Sequence, residues 1–394
     1  MSQTRSVEIT KLAGQCVACG LCLNHCPTYN LYQTEAESPR GRIAIIRGLA
    51  QQALQVTPEL VAHLDHCLLC GACENKCPSD VDYTRIMDLG REQLFAAHQV
   101  SYIDRVLSRW MSEPKRLSVV QTLIHGYWNL GLHRVFPIPA LKGGATNKRY
   151  GRFQENYLAP NPNGRTVLLF TGCISRILER DTLHASIQWL NSLGYNVRVP
   201  QAQACCGAIA QHCGDRSRFE MLVESNQRVF GDTDETILYA SSGCGAVLQT
   251  YPHWGSRLKE ICHFLTEANT ATHVAPQTWP RCGLYLPCTH RNKTGNTEKV
   301  LDLLAKAGVP RPVDLSAGIG CCGAAGTYML RHRRVANQLK QTILERAREH
   351  QLDYILTTNI GCRLHLAANL PTSIQVAHPV TMIQSNLARV SSAT

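Results

Sequence analysis

The second half of the chain alternates short apolar runs with longer amphipathic stretches. The runs VLLF, ILYA, GLYL and YILTT lie at residues 167–170, 237–240, 283–286 and 354–358. Runs of this length are typical of buried strands, and several of the stretches between them show helical periodicity. Strands that alternate with helices form parallel sheets, so this half of the chain is predicted to fold as parallel α/β layers.

The first hundred residues have a different pattern and are predicted to be helical. Residues 39–55 place apolar side chains at helical spacing, and residues 81–97 also form a predicted helix; the apolar positions in the first stretch are Ile43, Ile46, Leu49 and Leu54. A length of 394 residues allows two or three domains. The chain is therefore predicted to be an α+β multidomain protein.

The α/β half contains an internal repeat that is marked by cysteines. Each copy has a cysteine after its first strand, an adjacent Cys-Cys-Gly, and a last cysteine after a later strand. Equivalent cysteines in the two copies are 115 to 118 positions apart. Such regular offsets indicate a duplication with short loop insertions.

The repeat predicts two candidate metal sites. Positions that follow parallel strands gather at one edge of a sheet, where α/β proteins bind their ligands. The four-thiol sets are Cys173, Cys205, Cys206 and Cys244 in the first copy, and Cys288, Cys321, Cys322 and Cys362 in the second. A further iron-sulfur cluster, a zinc ion or a structural role are open for them. The cysteines without a counterpart are interpreted as ordinary residues; they are Cys213, Cys262 and Cys282.

The strongest motif in the chain occurs twice near the N-terminus. Both occurrences read C-x2-C-x2-C-x3-C-P; the cysteines are Cys16, Cys19, Cys22 and Cys26, then Cys67, Cys70, Cys73 and Cys77. Three closely spaced thiolates on one loop can bind three irons of a cubane, and the fourth iron needs a ligand from elsewhere. The spacing predicts two 4Fe-4S clusters. A pair of zinc sites is the alternative, although zinc sites usually present paired C-x2-C knuckles.

The ligand sets come from the resemblance of this spacing to bacterial two-cluster ferredoxins, in which the fourth cysteine of each motif binds the other cluster. Carried over by position, one cluster would be held by Cys16, Cys19, Cys22 and Cys77, and the other by Cys67, Cys70, Cys73 and Cys26. Crossed ligation makes the clusters neighbours, which favours an electron relay. The helices between the motifs indicate a helical ferredoxin.

Composition and charge narrow the class of protein. The chain has 19 cysteines, and its N-terminus lacks the pattern of a secretory signal, so reduced thiols in the cytoplasm are expected. No window approaches about 18 consecutive apolar residues, so no transmembrane segment is expected, and any association with the inner face of the cytoplasmic membrane would be peripheral.

The net charge of +11 is scattered and accompanied by no nucleic-acid-binding motif, so no nucleic-acid partner is expected. With no dinucleotide fingerprint and no acid-base constellation, no catalytic residue is expected in this chain.

Taken together, the motifs resemble the iron-sulfur subunits of bacterial glycolate oxidase, a glycolate dehydrogenase. The resemblance rests on the two cysteine motifs, on SPRGR at 38–42, and on ASSGCG at 240–245 and TTNIGC at 357–362, and it covers nearly the whole chain. It implies an electron-transfer subunit of a flavin-dependent complex that oxidises glycolate to glyoxylate. The implied partners are FAD-containing subunits and a quinone or another membrane acceptor.

The resemblance extends more loosely to two other groups, which supply the alternatives. One is the iron-sulfur subunit of a D-lactate or other 2-hydroxy-acid dehydrogenase. The other is the CCG-bearing subunit of heterodisulfide reductases, which would imply chemistry on thiols and disulfides. The full CCG pattern ends in C-x2-C, whereas Val247 and His365 stand where the last cysteine would be. This departure argues against the disulfide chemistry.

The resemblance and the repeat together predict four regions. A helical ferredoxin domain with two 4Fe-4S clusters spans residues 1–100, and a helical connector and linker spans 101–165. The first and second CCG domains span 166–281 and 282–394. Within the connector, the apolar stretch 117–141 is interpreted either as a docking surface or as core packing.

Overall fold

The computed structural model describes residues 3–132, 152–268, 278–295 and 297–391. The described residues fall into two compact units. The first takes its residues from Met1–Trp110, Gly207–Glu220 and Gly318–Lys340, and the second from Met111–Cys206, Met221–Ala317 and Gln341–Thr394. None of the helices in these ranges combines the length and the apolar character that crossing a membrane requires.

Helices dominate the described chain. In chain order they are α1 Gln3–Ala13, α2 Pro27–Tyr32, α3 Pro39–Ala50, α4 Pro58–Asp65, α5 Tyr83–Ala96, α6 Tyr102–Ser112, α7 Pro114–Asn129, α8 Ser175–Leu178, α9 Arg180–Ser192, α10 Ala208–Cys213, α11 Arg216–Phe230, α12 Ser242–Leu248, α13 Ile261–Glu267, α14 Thr297–Lys306, α15 Tyr328–Arg331, α16 Arg333–Glu349, α17 Ile360–Ala367 and α18 Pro379–Ser391. Short 3-10 turns lie at Leu23–His25 and Glu35–Glu37, and a π-helical turn lies at His290–Thr294.

Two helices of the first unit, α3 and α4, begin at side-chain caps that the sequence supplies. Ser38 accepts the Gly41 N–H at the start of α3, and Thr57 accepts the Leu60 N–H at the start of α4. A proline follows each of these caps, at the first helical position, where its missing N–H costs nothing. The apolar faces of α1, α3, α4 and α5 then form one core around Ile9, Ile46, Leu64, Ile86 and Met87.

The second unit contains two sheets. The first has the order β1-β3-β2-β4-β5, and the second has the order β7-β6-β8-β9. The strands are β1 Asn156–Tyr157, β2 Thr166–Phe170, β3 Asn196–Arg198, β4 Ile237–Tyr239, β5 Leu258–Glu260, β6 Cys282–Leu284, β7 Val313–Asp314, β8 Tyr354–Leu356 and β9 Gln375–Ala377. One apolar core joins both sheets and includes Leu238, Leu284 and Leu356.

The predicted α+β class and the parallel layers are confirmed, with one exception. All strand pairs are parallel except β1 with β3, where Asn156 pairs with Arg198 and Tyr157 with Val197. The four apolar runs became β2, β4, β6 and β8, which lie inside their sheets together with the three-residue strand β3. Sequence analysis missed β1, β5, β7 and β9 because they are edge strands of two or three residues, and such strands lack a continuous apolar run.

The described part of the apolar stretch 117–141 lies partly in α7. Leu117, Val120 and Ile124 pack against a small cluster that includes Ile177 and Ile360, which makes this face of the helix part of the core of the second unit. Val119 and Leu123 point elsewhere and are 50% and 65% exposed. The core-packing interpretation therefore holds for one face of α7, and residues 133–141 lie outside the described chain.

Candidate metal centres

The two N-terminal cysteine motifs form loops with the same backbone conformation. Ala18 and Gly20 flank Cys19 with φ values of +54° and +81°, and Leu69 and Gly71 flank Cys70 with φ values of +49° and +73°. Left-handed positions on both sides of the central cysteine curl the chain around one point and can turn successive N–H groups inward, as in anion-binding nests. Both loops are therefore shaped to wrap an anionic group.

The first cavity of this region is lined by cysteines from both motifs. Its lining includes Cys16, Cys19 and Cys22 of the first loop and Cys77 of the second. Cys19 is exposed, and the other three are half-buried. These four are the residues that the ferredoxin resemblance assigns to one cluster, and four thiols are a donor set that fits a 4Fe-4S cluster.

The second cavity is lined by Cys67, Cys70 and Cys73 of the second loop and by Cys26 of the first. All four are buried. Burial and the neighbouring thiols raise the pKa of Cys73 well above its usual range. A thiol in such a place gives up its proton when a metal binds it, because the metal supplies the missing positive charge. This donor set also fits a 4Fe-4S cluster.

Both cavities share part of their lining. Pro39, Cys73 and Tyr83 contribute to each of them. The Tyr83 hydroxyl lies 3.4 Å from the Cys67 Sγ, and Tyr83 is 5% exposed. Two groups bound in these cavities would be near neighbours.

Arg42 places a buried positive charge beside the second cavity. Its guanidinium lies 4.0 Å from the Cys26 Sγ, donates to Thr28 Oγ1 at 3.0 Å, and pairs with Glu37 Oε2 at 2.6 Å. Burial opposes this charge, but Tyr83, Cys67, Cys26 and Glu37 outweigh it and raise the pKa of Arg42. A permanent cation here favours an anionic metal-sulfur group in the cavity.

A network that sequence reasoning missed holds Arg42 in place. Glu37 is 2% exposed, and its Oε1 lies 2.8 Å from His63 Nδ1 and 2.7 Å from His66 Nδ1. Arg42 Nε also donates to the His63 carbonyl at 2.7 Å. In the sequence, this network is marked only by the glutamate before the SPRGR segment. That glutamate alone does not predict contacts with two histidines more than twenty residues away.

In the second unit, the first predicted quartet comes together. The Cys173 and Cys205 Sγ atoms are 3.3 Å apart, and the Cys206 thiol interacts with those of Cys205 and Cys244. The hydrogen bond with Cys205, followed by burial, raises the pKa of Cys173, and similar contacts raise that of Cys206. A tetrahedral zinc ion with bonds of about 2.3 Å holds its thiolates about 3.8 Å apart, so this pair fits one shared ion.

Buried polar side chains hold the backbone of this quartet, and the sequence did not reveal them. Asn226 Oδ1 accepts from the Ala204 N–H at 2.8 Å, and its Nδ2 donates to the Cys205 carbonyl at 3.0 Å. The Tyr251 hydroxyl donates to the Cys206 carbonyl at 3.1 Å. Asn226 and Tyr251 are 0% and 2% exposed. The sequence shows only a polar asparagine in this segment, and helical periodicity does not predict that an asparagine is buried in the core.

The residues of the second predicted quartet are divided between the two units. Cys321 and Cys322 belong to the first unit, and Cys288 and Cys362 belong to the second; all four are buried. Gly323 has a φ of +85°, and a Cβ atom there would lie 2.9 Å from the Ala336 Cα, so only glycine fits the bend after the cysteine pair. The ligand role of these four cysteines remains a prediction.

The two positions that replace the last CCG cysteine are both buried. Val247 in α12 is 6% exposed, and His365 in α17 is 5% exposed. The histidines near the cysteines differ among themselves. His212 is half-buried, whereas His263 and His290 are buried.

Comparison with known proteins identifies the domains that carry these sites. Residues 13–81 match the 4Fe-4S dicluster domain, and residues 167–249 and 282–367 match the CCG cysteine-rich domain. The predicted order, a helical 4Fe-4S domain followed by a duplicated CCG region, is thereby confirmed.

The chain is also similar to curated proteins. It is 29% identical to the glycolate oxidase iron-sulfur subunit of Escherichia coli strain K12, over 97% of this chain and 96% of that protein. It is 26% identical to the probable glycolate oxidase iron-sulfur subunit of Bacillus subtilis strain 168, over 89% of this chain and 87% of that protein. Lactate utilization protein A of Geobacillus kaustophilus strain HTA426 is 26% identical and matches 54% of this chain and 95% of its own length. The resemblance that the motifs suggested is confirmed.

Proposed function

Because the chain is a homologue of the iron-sulfur subunits of glycolate oxidase, we propose that it is the electron-transfer subunit of a flavin-dependent glycolate dehydrogenase complex. FAD-containing subunits of this complex oxidise glycolate to glyoxylate. Electrons then leave through this chain toward a quinone or another membrane acceptor. The substrate binds a partner subunit, and this chain relays electrons.

One observation carries this proposal: two cavities, each lined by a complete set of four cysteines, share Cys73 and Tyr83. Bound 4Fe-4S clusters supply one-electron transfer, and neighbouring clusters suit hopping between them. We propose the ligand sets Cys16, Cys19, Cys22 and Cys77 for the first cavity, and Cys67, Cys70, Cys73 and Cys26 for the second. The exposed Cys19 places the first cavity near solvent, so electrons would enter or leave the chain there. The cysteines of the second cavity are buried, so its cluster would lie further from solvent.

The chain's own residues set the conditions for the relay. The left-handed positions on either side of Cys19 and Cys70 orient the loops. Arg42 offsets negative charge at the second cavity, and the Tyr83 hydroxyl can donate to a thiolate at Cys67. Hydrogen bonds and charge of this kind tune the reduction potential of an iron-sulfur site.

The decisive experiment separates substrate oxidation from electron delivery. The chain is co-expressed with its flavin subunits and purified anaerobically as wild type and as Cys22→Ala or Cys73→Ala. Glycolate should reduce the flavin in all three complexes, whereas electron flow to an external acceptor should fall at least a hundredfold in the variants. Flavin reduction is followed by absorbance, and delivery is followed with a quinone analogue.

The matched control is Cys282→Ala, because Cys282 is a buried cysteine that lines neither cavity. It should preserve both flavin reduction and electron delivery. Loss of flavin reduction in an assembled Cys22→Ala complex would contradict the relay role. Fewer than about four irons per wild-type chain would contradict the two-cluster proposal.

A second candidate substrate class is supported by the similarity to lactate utilization protein A. A D-lactate or other 2-hydroxy-acid dehydrogenase would use the same relay with different flavin subunits. A screen of 2-hydroxy acids on the purified native complex decides between them. Flavin reduction by D-lactate but not by glycolate would replace the first substrate and leave the relay intact.

A further inference from the structure

The second unit contains a buried group of metal-binding side chains that the electron relay does not use. Glu260 ends β5, Cys262 lies in the first turn of α13, and His378 directly follows β9. One donor atom of each lies within 4.8 Å of the donor atoms of the other two. All three residues are 0% exposed.

The hydrogen bonds of Glu260 leave one of its oxygens unused. Oε2 accepts from the Cys262 N–H at 2.8 Å and from the His263 N–H at 3.1 Å, and so caps α13. Oε1 has no hydrogen-bond partner within the described ranges, and neither has the Nε2 of His378. These two atoms face each other at 3.8 Å, which is too long for a direct hydrogen bond.

The charged form of Glu260 also lacks a permanent cation as its partner among the described residues. Among the described residues its ion-pair neighbours are two histidines, His263 and His378, and no lysine or arginine. Burial raises the pKa of Glu260 to about 8, and burial together with Arg363 lowers the pKa of His378 to about 3. The histidine is therefore neutral, and Glu260 keeps its proton at neutral pH because an unpaired buried carboxylate is costly. A metal ion between Oε1 and Nε2 would displace that proton and balance the carboxylate charge.

The duplication explains why donors from two domains meet here. Glu260 and His378 are 118 positions apart, and each stands at the end of an edge strand, β5 in the first sheet and β9 in the second. Ser241 and Asn359 are separated by the same number of positions, and their side chains are hydrogen-bonded at 3.0 Å. Equivalent points of the two copies thus face each other, and the donor group lies between the two halves of the repeat.

We propose that Glu260, Cys262 and His378 bind one zinc ion that links the two cysteine-rich domains. One sulfur, one imidazole nitrogen and one carboxylate oxygen are ligands that zinc accepts, and three protein ligands leave a fourth tetrahedral position for water. Binding through Nε2 of His378 requires the proton to sit on Nδ1. In this structure Nδ1 accepts the Val380 N–H at 3.3 Å, so metal binding at Nε2 would move the ring proton to Nδ1, where the backbone of Ala240 can accept it.

Metal analysis of the full chain tests this site. Wild type, Glu260→Gln, Cys262→Ser and His378→Gln are purified anaerobically from zinc-supplemented cultures, and zinc and iron are measured by mass spectrometry. Each variant should lose one equivalent of zinc per chain, so that the zinc bound at this site falls at least tenfold. The iron content of each variant should stay unchanged. Glutamine at 260 retains an oxygen that can cap α13, so the loss would reflect the missing charge and not an unfolded helix.

Two matched variants make the result specific. Cys282→Ser removes another buried cysteine of the same unit and should keep the zinc. Cys206→Ser disrupts the first cysteine quartet, so it would lose any zinc ion bound there but should keep the zinc of the proposed site. X-ray absorption at the zinc edge of Cys206→Ser should show one sulfur at about 2.3 Å with lighter ligands at about 2.0–2.1 Å.

Three results would overturn the proposal. They are wild-type protein that takes up no zinc, three ligand variants that each retain as much zinc as wild type, and a Cys206→Ser protein that retains no zinc. The site does not depend on the proposed electron relay. A complex that fails to deliver electrons but retains zinc would contradict the relay alone.

Discussion

The cysteine loops of the first unit and the cysteine quartet of the second unit bring four thiols together in different ways. In the first unit each motif spans eleven residues, and its cysteines line cavities beside the buried cation Arg42. In the second unit, Cys173, Cys205, Cys206 and Cys244 come from three separate segments, and their thiols contact one another. Neutral groups, Asn226 and Tyr251, hold the backbone there.

The difference indicates what each site is shaped to bind. Loops that curl around a cavity next to a cation suit a large anionic iron-sulfur cluster. Thiols only 3.3 Å apart suit a single ion, because a cubane separates its ligands by more than one metal ion does. Substitutions of equivalent groups in the two regions test this difference.

The largest expected effect is on iron content. Cys73 lines both cavities of the first unit, so Cys73→Ser should remove at least about four of the eight irons of two 4Fe-4S clusters. Cys206→Ser should leave the iron content unchanged. Iron and sulfide are quantified on anaerobically purified chains, with electron paramagnetic resonance of the reduced protein. Equal loss of iron from both variants would show that the quartet also holds a cluster.

The next effect concerns the scaffold of the quartet. Asn226→Leu removes hydrogen bonds to the Ala204 N–H, the Cys205 carbonyl and Tyr251, which leaves buried polar groups unsatisfied. We expect a loss of about 2–4 kcal/mol in stability. Tyr251→Phe, which removes the hydroxyl that donates to the Cys206 carbonyl, should cost about 1 kcal/mol. Thermal unfolding of the two variants checks the order, and an unchanged Asn226→Leu midpoint would contradict the assigned role.

A smaller effect is expected on reduction potential. Arg42→Met removes the cation beside Cys26, so adding an electron to the second cavity becomes less favourable, and one potential should fall by about 60 mV, equivalent to about 1.4 kcal/mol. Glu37 keeps its contacts with His63 and His66 in this variant.

Arg40→Met is the matched control for that measurement. Arg40 is more exposed, pairs with Glu35 and donates to the Ala18 carbonyl, so solvent screens its charge. Arg40 lines the first cavity but not the second, so its removal should shift the potential of the second cavity by less than about 20 mV. Redox titrations monitored by electron paramagnetic resonance measure both variants. If the potential of the second cavity shifted more in Arg40→Met than in Arg42→Met, burial would not explain the effect of the Arg42 charge.

The smallest effect tests the turn that precedes the quartet. Gly172 has a φ of +65°, and a Cβ atom there would meet its nearest neighbours, Cys244 Sγ and Phe170, at an ordinary 3.6 Å. Gly172→Ala should therefore cost only the left-handed backbone preference, about 1 kcal/mol. Gly255→Ala, at a position with open space and no positive φ, should be neutral. A thermal midpoint that falls equally in both variants would argue against this backbone explanation.

Much of the fold and of the relay could be predicted because the relevant signals are local. The C-x2-C-x2-C-x3-C-P spacing, the caps at Ser38 and Thr57, and the inner apolar strands are each contained within a few neighbouring residues. The duplication could be predicted because equivalent cysteines of the two copies are separated by nearly the same number of positions. Edge strands such as β5 and β9 escaped because two or three residues carry too little pattern.

Cys262 was interpreted as an ordinary residue because its sequence neighbours do not reveal the donor group to which it belongs. No counterpart in the other copy marks it, and Glu260 and His378 are far from each other in sequence. Only the folded chain brings the end of β5 and the residue after β9 close enough to place the three donors together. Asn226 and Glu37 were missed for the same reason, since their partners lie in other segments.

The α+β class, the two cysteine motifs, the duplicated cysteine-rich domains and the family resemblance were therefore predictable from the sequence. Each depends on residue types at fixed spacing along the chain. The tertiary structure decided which thiols touch, that Arg42 is buried beside Cys26, and that Glu260 faces His378 without a hydrogen bond. Contact, burial and unsatisfied polar atoms depend on distances between segments, and spacing along the chain does not contain those distances.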